Sequence, residues 1–495
     1  MLAATSVTGL ASVGNIALSV IRVKVIALLV GPAGIGLLGL YLRLTTLVAT
    51  LSGLGLSQSG VREVAAAKNP DELAKTRRAL MSASLILGLI AAVIVLIFKR
   101  PIARAIFEDT TRSDEVAWLG LAVLMTGLAT AQTAYLQGLR KIKQAALVTV
   151  GGALVGSLVG IAFVVALGAD GLVAVVIASP TGGALVAWLF ARRARKDAEP
   201  HHTRFDIAEL WPRWRSLVTM GVTVMVAQLA SNYVSLEVRA RLVEDLGLAT
   251  AGHFEASWQI SMTYIGFVLT AMGADYFPRL TAAIKDERGI AAPSPPPSHR
   301  LVNDQTEVAL LLAAPVLVGL AGLAPIGIHV LYSSDFEPSI LLLRIQALGD
   351  TLRIVAWPLA YLMLAHGKNR LYLMAELLWS GVFFALILAL LPSLGLTATA
   401  VAYSLAFVAY LAFLLYAARK VDGLTLDRRL MTAAAAIVGL ILVLIGLAAL
   451  DSIAGLIGGF VAVLVLGYLS LDRLARILEG QGRIGRLLHK LRLGR

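Results

Sequence analysis

Six polar residues descend one side of an otherwise apolar stretch near the start of the chain. Thr5, Thr8, Ser12, Asn15, Ser19 and Arg22 recur in steps of three or four, which puts them on one face of a helix over 5–30. A second apolar stretch, 36–58, repeats the device with Arg43, Thr46, Thr50, Gly53 and Ser57. A cation inside a lipid-spanning helix costs about 2.5–3.5 kcal/mol unless it faces protein or water, so both stripes must turn inward. If the two stretches run in opposite directions, Arg22 and Arg43 lie at similar depth, each about 5–8 Å outside the midplane at 1.5 Å rise per residue. Two guanidinium forks at one depth suit an anionic or phosphate-bearing ligand, whose oxygens they match bidentately.

Further polar faces are expected to line the same cavity. Thr126, Thr130, Thr133 and Gln137 share one face over 116–138, and Gln228, Ser231, Ser235 and Arg239 share one from 228 onward. Between 339 and 364 the stripe is Gln346, Asp350, Arg353, Trp357 and Tyr361. For any single Ser or Thr, an interhelical hydrogen bond explains the residue as well as a cavity does. Asp350 and Arg353, three apart, are also placed to neutralise each other.

The elements that hold these residues are membrane helices. The chain is 58% hydrophobic and 15% charged over 495 residues, against about 45–50% apolar for soluble domains. We expect an all-α polytopic membrane protein of about 14 transmembrane helices: 5–30, 36–58, 79–98, 116–138, 144–167, 171–191, 214–236, 250–275, 307–331, 339–364, 371–391, 396–417, 430–449 and 453–471. Most of the 43 lysines and arginines fall in the even-numbered connections and the C-terminal tail, so both termini are expected to be cytoplasmic. The segment 101–107 reads as a short amphipathic helix at the outer surface.

The basic connection 192–213 divides the first six spans from the next six. Leu167-Gly168 is echoed by Leu394-Gly395, and Ala134-Tyr135-Leu136 by Ala360-Tyr361-Leu362, an even offset of six spans that implies parallel repeats. The expected organisation is an N-lobe 1–191, a cytoplasmic linker 192–213, a C-lobe 214–417, two extra spans over 418–471 and a basic amphipathic tail 472–495.

Several classes are excluded. No G-x-x-x-x-G-K-[ST] motif occurs, no substantial outer loop carries catalytic charge, and with no cysteine there is no thiolate chemistry, so the chain reads as a transporter and not an enzyme. His253 and Glu255, two apart, fall on different faces, so no metal site and no cofactor are expected. The charge of +13 is placed on loops beside the membrane and does not imply nucleic acid.

Several stretches carry a resemblance. Gly31-Pro32-Ala33-Gly34-Ile35-Gly36-Leu37 with Arg43, Gly53-Leu54-Gly55 and Asn69-Pro70, and later Phe277-Pro278-Arg279-Leu280-Thr281 and Gln346-Ala347-Leu348-Gly349-Asp350-Thr351-Leu352-Arg353, resemble the Wzx family of O-antigen and enterobacterial-common-antigen translocases. That resemblance covers residues 1 to about 420. It implies a flippase of the multidrug/oligosaccharidyl-lipid/polysaccharide exporter superfamily in the bacterial cytoplasmic membrane. Its cargo would be undecaprenyl-diphosphate-linked oligosaccharide for O-antigen-like polysaccharide, moved by alternating access. Membrane lipids, a polysaccharide polymerase and other assembly proteins are the partners it implies. Arg22, Arg43 and Arg353 would then hold the diphosphate, with Asn15, Ser19, Thr46, Thr50, Thr130, Gln137, Gln228, Ser231, Arg239, Asp350 and Trp357 lining the cavity. Spans thirteen and fourteen exceed the twelve usual for such translocases and resemble the lipid II flippase branch, which stays open as an alternative. The other alternative is a drug or cation antiporter of the same superfamily, which needs buried acids; only Asp350, Glu376 and Glu237 are candidates.

Overall fold

Glycine and proline punctuation sets the helix ends. The computed structural model describes residues 2–107, 110–198, 210–287 and 295–477, and for 2–17 and most of 210–227 the description is of the backbone alone. Helix α1 (Leu2–Gly53) is two arms joined at Gly31, whose φ of 62° and ψ of −167° interrupt the helix immediately before Pro32. The positive φ favours glycine, and the missing proline N–H is one that a starting helix leaves unbonded. After Leu54 and Gly55, both at positive φ, α2 (Leu56–Ala66) follows. The Asn69 side chain caps α3 (Pro70–Ile97) by accepting from the Glu72 N–H at 2.8 Å, while Glu72 reaches back to the Lys68 N–H.

The remaining helices are α4 (Lys99–Phe107), α5 (Ser113–Gly138), α6 (Ile142–Leu167), α7 (Leu172–Ala198), α8 (Leu210–Leu246), α9 (Leu248–Glu287), α10 (Pro297–Gly322), α11 (Ala324–Leu331), α12 (Pro338–Ala365), α13 (Asn369–Leu394), α14 (Thr397–Asp422), α15 (Arg428–Leu450) and α16 (Ser452–Ile477). Among the described residues there is no strand. The amphipathic segment expected over 101–107 is the body of α4. Of the connection 192–213, residues 199–209 lie outside the described residues. Helix α16 continues through Asp472 to Ile477, and the rest of the basic tail lies outside them.

Nine stretches among the described residues are long and apolar enough to cross a membrane. Lys143–Arg195 contains the expected spans 144–167 and 171–191, and Leu18–Gly53 takes in parts of 5–30 and 36–58. The expected spans in α8, α9 and α12 are not among the nine. Length is not what they lack, at 37, 40 and 28 residues.

The described chain forms two compact units. One is Met1–His253 with Leu331–Asp335, the other Phe254–Val330 with Phe336–Arg495. The first has a core of Leu56, Leu80, Ala131, Tyr135, Leu136 and Val148 from α2, α3, α5 and α6, and the Trp214 indole N–H donates to the Ala79 carbonyl at 3.1 Å. The second packs Trp258, Trp379, Phe383, Tyr403 and Phe407 as neighbouring rings.

The two halves share a backbone register. Lys141 before α6 has φ −80° and ψ 55°, and Lys368 before α13 has φ −84° and ψ 52°. Gly168 ends α6 at φ 61°, ψ −132°, and Gly395 ends α13 at φ 52°, ψ −136°. Both pairs are 227 positions apart, as are the first residues of α3 and α10, Pro70 and Pro297. The Leu-Gly echo is in this register. The Ala-Tyr-Leu echo is one residue out of it, about 100° of rotation on a helix, and Tyr135 is accordingly buried where Tyr361 is half-buried.

Candidate functional site

In the first unit the cations sit on α1. Arg22 is half-buried, and its Nη2 donates to Ser19 Oγ at 3.5 Å, one turn back along the stripe. Lys24, two positions on, donates to the Tyr332 carbonyl, which makes it a structural tie. The side chain of Asn15 lies outside the described residues. On the second arm Arg43 is half-buried and Thr46 exposed. Thr46 and Thr50 each donate to the carbonyl four residues earlier, at 2.7 and 2.8 Å. Their hydroxyls keep acceptor capacity, and Thr50 uses it: Asn232 Nδ2 donates to Thr50 Oγ1 at 2.9 Å. The α1 stripe therefore meets the α8 stripe, where Gln228 is exposed and Ser231 half-buried. Arg239 is buried, with Nη1 on the Ser235 carbonyl and hydroxyl at 2.7 Å, so its charge is fastened to its own helix. On α5, Thr130 is half-buried and Gln137 exposed.

In the second unit α12 carries the site. Asp350 is fully buried, and both of its oxygens accept: Ser261 Oγ donates to Oδ2 and Tyr403 OH to Oδ1, each at 2.6 Å. One turn before it, Gln346 is buried, and neither end of its amide has a hydrogen bond among the described residues. Arg353 attracts Asp350 along the helix face but makes no ion-pair contact with it among the described residues. Its Nη1 lies 2.9 Å from the Met262 sulfur, and its guanidinium sits 5.8 Å over the Phe407 ring. Thioether and ring face are soft partners, and Asp350 and Glu376 lie within electrostatic range of the guanidinium without an ion-pair contact to it. Nearby, Tyr410 OH donates to Glu376 Oε1 at 2.8 Å. Trp357 and Tyr361, further along the stripe, are half-buried rings 4.5 Å apart. Arg344, the remaining cation in this span, donates to the Ala321 carbonyl at 3.0 Å and acts as helix glue.

Residues 1–283, more than half of the chain, match the family described as Polysaccharide biosynthesis protein. The chain belongs to that family. This family member is 23% identical over 396 residues to the Lipid III flippase of Escherichia coli (strain K12), across 78% of this chain and 90% of the relative, and equally to the Lipid III flippase of Shigella flexneri. A solved structure titled "Lipid II flippase MurJ, inward closed conformation" superposes with a TM-score of 0.71 at 14% identity, covering 96% of this chain and all of that one. An inward-facing multidrug resistance MATE family transporter of the MOP superfamily gives a TM-score of 0.64 at 17% identity, over 84% of this chain and 96% of that one. At such identities the likeness is one of fold, and the fold is that of all-α polytopic transporters.

For this polysaccharide biosynthesis protein, stripe reading located Thr50, Asp350 and Arg353 but not what they touch. Asn232, Ser261, Met262 and Tyr403 were missed. The last had a signal: Tyr403, Phe407 and Tyr410 recur at steps of four and three on α14, an aromatic stripe facing α12. Ser261 and Met262 had none, because a lone polar or sulfur residue in an apolar helix acquires meaning only from its partner across the bundle.

Proposed function

We propose that the protein is a flippase. In this reading it moves undecaprenyl-diphosphate-linked oligosaccharide from the inner to the outer leaflet of the bacterial cytoplasmic membrane, by alternating access, for O-antigen-like surface polysaccharide. The observation that carries the reading is that Arg22 and Arg353 stand on polar helix faces with no carboxylate at ion-pair distance among the described residues. Intramembrane cations without an ion-pair carboxylate suit phosphate oxygens, which bring negative charge when bound. Arg43 is assigned to phosphate binding from its place on the second stripe. Relatives named lipid III flippase support a lipid-linked cargo, and fold neighbours solved in both inward-facing and outward-facing conformations support alternating access. Both termini are assigned to the cytoplasm, and a polysaccharide polymerase is the partner that would consume the cargo.

Lipid II as cargo is a second reading, favoured by the likeness to the lipid II flippase, which covers 96% of the chain and so extends over α15 and α16. The test uses purified protein in proteoliposomes carrying either the host's lipid-linked repeat unit or lipid II. Appearance of glycan in the opposite leaflet is read with a membrane-impermeant glycosidase. Protein-dependent flipping of the repeat unit and not of lipid II is the expected result; flipping of lipid II alone selects the second reading, and flipping of neither refutes both.

A further inference from the structure

We propose that Trp357 and Tyr361, backed by Tyr276 and Phe277, form a shelf for the sugar rings of the cargo, one step along α12 from the cation that holds its phosphate. The proposal rests on the flippase reading above and names the part of the cargo that this face of α12 recognises. Trp357 and Tyr361 lie 4.5 Å apart, Tyr276 is 5.7 Å from Trp357, and Phe277 meets Tyr361 at 5.6 Å. The Tyr276 hydroxyl is committed to the Pro358 carbonyl at 3.1 Å, so that ring is locked as the buried back of the shelf. Trp357, Tyr361 and Phe277 are half-buried, so part of each remains open. Among the described residues, neither the Trp357 indole N–H nor the Tyr361 hydroxyl makes a hydrogen bond to the protein.

A pyranose needs what this arrangement supplies. One face of the ring presents C–H groups whose positive edges meet the negative face of an aromatic ring, and the hydroxyls around its rim need donors and acceptors beside that ring. Spacing sets the order of contacts. Arg353, Trp357 and Tyr361 stand four residues apart on one helix face, about 6 Å per step, which is the scale of successive groups in a phosphate-linked sugar chain. The fold does not require the rings: in the register of 227, Trp357 corresponds to Thr130 and Tyr361 to Ala134, and α5 packs without them.

The test measures binding of two lipids to the full chain in nanodiscs: undecaprenyl diphosphate bearing the host's repeat unit, and bare undecaprenyl diphosphate. The expected result is tighter binding of the glycosylated lipid by the unaltered protein, with the affinity ratio falling about fivefold to tenfold toward one in Trp357→Leu and Tyr361→Leu. Leucine keeps apolar volume, and Trp357→Phe, which keeps a ring, should retain most of the ratio. Arg353→Ala should weaken both lipids and preserve the ratio. A ratio unchanged in both leucine variants overturns the shelf and leaves the rings as anchors at the membrane interface. Binding of neither lipid by the unaltered protein overturns the flippase reading itself, and the shelf with it.

Discussion

Removing the Asp350 carboxylate should cost more than removing any other polar group in the second unit, because two hydroxyls from two other helices depend on it. Ser261 on α9 and Tyr403 on α14 both donate to it at 2.6 Å, and Asp350 and Ser261 have no exposed surface. Asp350→Ala leaves two buried donors without an acceptor. At about 1–3 kcal/mol for each orphaned group, the expected loss is about 2–6 kcal/mol. Asp350→Asn keeps the shape and one acceptor oxygen, and a hydroxyl can rotate to accept from the new amide, so the loss should be about 1–3 kcal/mol. The assay is thermal unfolding of the purified protein in one detergent, for Asp350→Asn, Tyr403→Phe and the double variant. If the hydroxyl and the carboxylate are coupled, the double variant loses less than the two single losses combined. Additivity within about 0.5 kcal/mol, the behaviour of independent sites, would refute the bond as a stabilising contact.

Arg22→Ala should abolish surface glycan export while the protein still inserts, with binding of the lipid diphosphate weakened by about 1.5–3 kcal/mol; Arg22→Lys keeps charge without the fork and should export partially, as scored by surface-polysaccharide blots. Gly252→Ala puts a Cβ 1.8 Å from the Pro32 carbonyl oxygen, whereas real Cβ contacts stay beyond 3.0 Å, so backbone must separate by at least 1.2 Å there. That overpacking should cost about 1–3 kcal/mol in thermal stability, against no loss in Gly327→Ala, where the added Cβ meets nothing within 4 Å. Asp422 bridges His299 at 3.2 Å and His366 at 3.1 Å, tying the start of α10 to the ends of α12 and α14. Asp422→Asn and His366→Gln should each destabilise by about 1 kcal/mol and combine non-additively in the same melting assay.

Local periodicity made faces legible, and partners across the bundle were not. The stripes on α1 and α12 could be read because a helix returns to the same face every three or four residues. The reading that Asp350 and Arg353 neutralise each other holds as electrostatic attraction along one helix face, while the hydrogen bonds of each go elsewhere. Asp350 bonds to residues 89 and 53 positions away, and Thr50 to one 182 positions away. No window along the chain contains those distances. Helix ends were the most legible feature, since Gly31, Gly168 and Gly395 each take a backbone conformation that other residues resist. The repeat was half legible: Leu-Gly marks a conformational requirement and kept its register, while Ala-Tyr-Leu marks only composition and did not.

The register of 227 also separates what the scaffold needs from what the cargo needs. Asp350, Arg353, Glu376 and Tyr403 correspond in the first half to Val123, Thr126, Thr149 and Val176, so a matching frame of helices is built there without charge. Thr126 satisfies itself by donating to the Ala122 carbonyl at 2.7 Å. Arg353→Thr thus imports a residue that this helix position already accommodates once in the same chain. Met262 and Phe407 are not orphaned by losing a cation, and Asp350 and Glu376, which lie within electrostatic range of it, keep their own hydroxyl donors. Arg353→Thr should therefore melt within about 1 kcal/mol of the unaltered protein yet lose flipping of the lipid-linked repeat unit in proteoliposomes. A variant that flips normally would remove Arg353 from the anion site; one that fails to fold would show its charge to be structural.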